Sequence, residues 1–124
     1  MTNLEGLSDE QLATISKACE FLSRLCMGQF AEIAELFPSL DVEQHHELVE
    51  KLTQLRTLIP QFADLSDKQH LRIRSALVPD LARNAHDIHL VIQHHLARNL
   101  SFSHQSPPRA CGSLPLPTVN SENV

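Results

Sequence analysis

The chain has 124 residues, 42% apolar and 20% charged, with a formal net charge of −5, which fits one small soluble domain and leaves no room for two. No apolar run approaches the roughly 20 residues of a membrane helix, and the first residues lack a basic-then-apolar leader, so the expected location is the cytoplasm. Three cysteines, an odd number without a secretory signal, point to a reducing compartment rather than a disulfide framework.

The net charge conceals an asymmetry. Residues 1–66 carry eleven acids against four bases, net −7, whereas residues 67–99 carry five bases (Lys68, Arg72, Arg74, Arg83, Arg98) against three acids, net +2, together with five histidines. The two parts should attract each other, within one chain or between two.

Hydrophobic spacing reads as helix nearly everywhere up to residue 99, with no stretch of strict alternation, so the expected fold class is all-α. Ser8 and Gln11 have capping-box spacing and open the first helix. From there Leu12, Ile15, Cys19, Leu22, Cys26, Phe30, Ile33 and Phe37 form one stripe that stays in phase across Gly28. The phase predicts one long helix over residues 9–37, ended by Pro38, at a cost of about 1 kcal/mol for the interior glycine. A second helix is predicted from Ser39 or Asp41 to Ile59, with Leu48, Leu52, Leu55 and Ile59 inward and Pro60 as its stop. A third begins at Ser66, where Gln69 repeats the capping-box spacing. Pro79 either starts a fourth helix or kinks a continuous one, and Leu81, Ala85, Ile88, Ile92 and Leu96 line its face up to Asn99. The predicted domain is a bundle of about four helices over residues 1–99. Residues 100–124 hold four of the seven prolines and five serines with no apolar period, which reads as a disordered tail.

Eight histidines raise the question of metal. On the second helix Glu43, His46, Glu47 and Glu50 fall within about 100° of arc, similar to the Glu-x-x-His spacing of carboxylate-bridged bundles, but they lie opposite the apolar face and so read first as a solvated acidic surface. His86, His89, His94 and His95 do not converge on one side of the last helix. Neither a metal nor any other cofactor is expected. Cys19 and Cys26 are about 10.5 Å apart along the helix axis, too far for a disulfide. Pairing Cys26 with His95 as a nucleophile finds no supporting cleft in the sequence. Glycine-rich phosphate loops, a Gly-x-Ser-x-Gly elbow and His-Glu-x-x-His are absent, so no enzymatic activity is expected. Arg72, Arg74 and Arg83 mark a basic segment where a helix-turn-helix can be drawn, yet the acidic total and the lack of Trp and Tyr argue against nucleic acid.

The first helix carries Ala18, Phe21, Leu25 and Leu36 on a face beside its main stripe, close to Gly28, so its apolar arc is wider than one neighbour needs. Residues 18–30, which run into Met27-Gly28-Gln29-Phe30, resemble small uncharacterised helical proteins of phages and prophages. The resemblance implies a mobile-element origin and a small interaction protein, with no activity attached. The expected function is therefore a non-enzymatic interaction or regulatory protein, a homodimer or the binder of a host protein, whose contact surface is Phe21, Leu25 and Gly28; the alternatives are a ligand- or metal-binding module on Glu43, His46, Glu47 and Glu50 and a nucleic-acid-binding regulator through Arg72, Arg74 and Arg83.

Overall fold

The computed structural model describes residues 3–99 and 108–121. In chain order these form β1 (Asn3–Leu7), α1 (Asp9–Cys26), a first 3-10 segment (Phe30–Leu36), α2 (Val42–Arg56), a short second 3-10 turn (Pro60–Phe62), α3 (Asp80–Asn99) and β2 (Thr118–Ser121). The protein is mostly helical, but it is not all-α. β1 and β2 pair in parallel, with Asn3 opposite Thr118, Leu4 opposite Val119 and Leu7 opposite Ser121. One extra residue on β1 makes a bulge, where Gly6 takes a φ of 72° that an L side chain resists.

The Ser8 and Gln11 capping box forms as predicted and starts α1. The expected rod over 9–37 does not form. At its end the N–H of Gly28 reaches Leu25 O at 3.0 Å and that of Gln29 reaches Arg24 O at 3.0 Å, the double closure of a Schellman turn. It requires the left-handed conformation, and Gly28 has φ 91°. The chain then turns back as the first 3-10 segment, and Arg24 holds Glu32 across the turn at 3.1 Å. The in-phase apolar spacing persisted because Phe30 and Ile33 belong to a separate short element, with Phe37 half exposed just beyond it, not because the helix continued.

The core lies chiefly between α1 and α3, where Leu12, Ser16 and Ser23 of α1 are buried with Ala82, Ala85 and Ile92 of α3. Four of these six, Ser16, Ser23, Ala82 and Ala85, are small, between the larger Leu12 and Ile92. Leu81, expected inward, is exposed, and so is Leu55 of α2, whose buried row runs instead through Leu52 and Arg56. α2 starts from a second capping box, Asp41 with Gln44. Phe62 is buried, edge-on to Phe30 with ring centroids 5.8 Å apart and its Cδ1 only 3.1 Å from where a Cβ on Gly28 would sit.

The third helix expected from Ser66 is missing: residues 63–79 are turns and irregular backbone. Gln69 Oε1 does accept from Ser66 N at 2.9 Å, half of the expected box, but the carbonyls a helix would use are taken by arginines. Arg56 donates to Ser66 O and Gln69 O, and Arg83 donates to Ile73 O, Ser75 O and Val78 O. α3 begins after Pro79 as a separate helix. Part of the segment expected to be a disordered tail is docked: residues 108–121 run along α3 and supply β2. The rest of that expectation, residues 100–107 and 122–124, lies outside the described residues.

Candidate functional site

Turning the 3-10 segment back over α1 creates an open groove of about 520 Å³ lined by Ala13, Thr14, Lys17, Ala18, Phe21 and Leu36. Its lining is almost wholly apolar carbon, and Leu36 (51%) and the adjoining Phe37 (50%) remain half exposed. A second, smaller hollow shares Lys17, Phe21 and Leu36 and is rimmed by Glu20, Arg24, Glu32 and Glu35. Arg24 bridges Glu20 and Glu32, at 3.5 and 3.1 Å, and Lys17 reaches Glu20 at 3.3 Å. An apolar strip beside a row of both charge signs is thus the main surface feature of α1.

On the inner side of α1 a polar chain crosses to α3. Gln93 Nε2 donates to Ser16 Oγ at 2.9 Å, Ser16 Oγ lies 2.7 Å from His89 Nδ1, and His89 Nε2 lies 3.0 Å from Glu20 Oε2. One assignment satisfies every member: Ser16 donates to Nδ1, and the proton on Nε2 goes to Glu20. The series Ser, His, Glu has the residue types of a hydrolytic triad, but Ser16 is fully buried, so the chain bolts two helices together and offers no nucleophile to a substrate.

A third constellation holds residues 108–121. Asp87, only 3% exposed, accepts from Cys111 N at 2.9 Å and Gly112 N at 2.8 Å. Asn84 Oδ1 accepts from Leu114 N at 3.1 Å, and Asp80 accepts from Ser113 N and from the Ser113 hydroxyl. That hydroxyl bond is the main cause holding the Asp80 carboxyl below its usual range. Gly112 admits no side chain, because a Cβ there would lie 2.1 Å from Asn84 Oδ1 and 2.8 Å from the Asn84 backbone nitrogen.

The thiols are all free. Burial pushes Cys19 and Cys26 up, while burial and the hydrogen bond and charge of Asp87 push Cys111 up to about 11. These shifts oppose the activation that a cysteine nucleophile needs.

Finally, a cavity of about 240 Å³ lies between the 3-10 segment, the end of α2 and the turn at residues 67–70. Arg56, 3% exposed, lines it. Its Nη1 donates to Gly28 O at 3.0 Å and Gln69 O at 2.8 Å, and its Nη2 to Ser66 O at 2.7 Å, while its buried Nε has no partner among the described residues.

Of the three expected contact residues, Phe21 lines the groove, Leu25 is half-buried, and Gly28 is buried beneath Phe62. The close approach expected at Gly28 is made by the same chain. Glu43, His46, Glu47 and Glu50 are exposed on α2, with Glu47 paired to Lys51 at 2.9 Å. Among the described residues no three His, Cys, Asp or Glu side chains are arranged to hold a metal ion. Arg72 and Arg74 are exposed on irregular backbone, and Arg83 is committed to three carbonyls and to Asp80, so the helix-turn-helix drawn there is not formed. Sequence reasoning missed Ser16, His89, Arg56 and Asp87. A signal existed for the first: Leu12, Ser16, Cys19 and Ser23 recur at spacings of 4, 3 and 4, a core row with small polar members. No helix among the described residues is long and apolar enough to cross a membrane. No family model, curated protein or solved structure matches the chain.

Proposed function

We propose that the protein is a non-enzymatic interaction protein that associates with a second copy of itself through the groove between α1 and the first 3-10 segment. The observation that carries this reading is the apolar strip of Ala13, Ala18, Phe21 and Leu36, bordered by Lys17, Glu20, Arg24 and Glu32. A two-fold axis across such a strip sets the bases of one copy against the acids of the other while the apolar faces meet. A surface carrying both signs in a row suits its own copy better than a uniformly charged partner.

Leu36→Asp tests the reading, because Leu36 is half exposed and its loss spares the core. Light scattering should give twice the chain mass for the parent and a monomer mass for the variant, with unchanged helical circular dichroism. A parent that is monomeric at every concentration, or a variant of unaltered mass, overturns the proposal.

A further inference from the structure

We propose that the cavity over Arg56 binds a small zwitterion of the α-amino acid class. The first argument is the unfinished coordination of a buried cation. Three N–H donors of the guanidinium are spent on the carbonyls of Gly28, Ser66 and Gln69, and Nε–H has no acceptor among the described residues. Nε and Nη2 are the two nitrogens of the side-on fork that a carboxylate engages with both oxygens. No carboxylate of the described residues pairs with Arg56, although burying an uncompensated charge is costly. A bound carboxylate supplies both the missing acceptor and the missing charge.

The second argument is the division of charge across the cavity. Lys68 and His70, on the turn, share the lining with Arg56, while Glu32 and Glu35 stand on the 3-10 segment. Glu32 is already engaged by Arg24. Among the described residues Glu35 pairs with the more distant His45, at 3.6 Å, and is mostly exposed, so it is the carboxylate open to a ligand's ammonium. Asp67, also in the lining, keeps the turn from favouring anions as such. A small molecule that carries a carboxylate and an ammonium on one carbon offers both charges to this mixed lining, and a simple anion meets only half of it.

In the structure Nε is shielded from solvent, so a ligand that reaches it shifts the turn whose Ser66 and Gln69 carbonyls rest on the same guanidinium. Binding should therefore be read at the turn as well as at the ligand.

The test uses the full chain and ligand-observed NMR with a panel of the common L-amino acids. Each hit is then compared with two analogues, one lacking the α-ammonium and one lacking the α-carboxylate; for L-glutamine these are glutaramate and 4-aminobutanamide. We expect at least one amino acid to bind, each analogue to lose about tenfold or more in affinity, and the amide exchange of residues 66–70 to change on binding. Lys68→Ala and Glu35→Gln, both on exposed residues that leave the core intact, should each weaken binding by a similar factor. The proposal is overturned if no amino acid binds, if either analogue binds as well as its parent, or if either variant leaves affinity unchanged.

Discussion

The α1 and α3 pair and the irregular stretch at residues 63–79 are each centred on a buried polar side chain, Ser16 in the first and Arg56 in the second, and they use it in opposite ways. In the helix pair the backbone satisfies itself, so Ser16, His89, Glu20 and Gln93 are free to bond to one another across the interface. In the irregular stretch the backbone is not helical, and Arg56 and Arg83 serve as its hydrogen-bond partners. The difference teaches that a polar core residue can fasten two finished elements or can replace an element altogether. The second use places more weight on one side chain, because several carbonyls share it.

The sharpest break in the comparison should come from Arg56→Met. It strands the carbonyls of Gly28, Ser66 and Gln69, and we expect a loss of about 3 kcal/mol or more, measured as a lower urea midpoint. Amide exchange should accelerate first over residues 63–79 and only later in α1 and α3. If exchange rises evenly through the molecule, the stretch is not an independently held unit.

Gly112→Ala probes the other segment that carbonyl and amide bookkeeping alone would leave loose. The added Cβ displaces Asn84, and we expect about 1–3 kcal/mol of destabilisation together with rapid proteolysis near residues 108–117. Cys111 should then alkylate faster, since its thiol leaves the Asp87 side chain and the cover that push it up. An unchanged alkylation rate would show that the segment stays docked.

Ser16→Ala cuts the centre of the interhelical bolt. It leaves Gln93 and His89 each short of a partner, for a cost of about 1–2 kcal/mol, with the turn at residues 66–70 unaffected in exchange. Gln93→Ala in the same background should add little, because the two act as one network.

The smallest effect is on pH. Burial, aided by His89 and Arg74 and opposed by Asp87, holds His86 below its ordinary value of 6.5. The unfolded chain therefore takes up this proton first, so the contribution is complete above 6.5 and is lost as pH falls below it. A His86→Gln variant should show a flatter thermal midpoint between pH 7 and pH 5 than the parent.

Much of this molecule could be read directly. The capping box that opens α1, a start for α2 at Ser39 or Asp41, and the apolar face that holds Phe21 are written in local spacing, because a helix N-terminus is satisfied by side chains within four residues, whereas Pro79 fitted a helix start and a kink alike. Gly28 was legible too as a helix stop, but periodicity spoke against it. A stripe at spacings of 3 and 4 cannot tell one rod from two segments that both face the same core. Residues 108–121 lacked any period, and their order comes from Asp80, Asn84 and Asp87, more than twenty residues away in the chain.

What the sequence determined by itself is where helices begin and which faces are greasy, since those depend on neighbours a turn away. The tertiary structure alone decided that Ser66 would open no helix, that the C-terminal segment would return to pair with β1, and that Arg56 would stand buried with an unfilled Nε. Each of those outcomes is set by which distant carbonyl or carboxylate comes within hydrogen-bond reach, and spacing along the chain does not encode that distance.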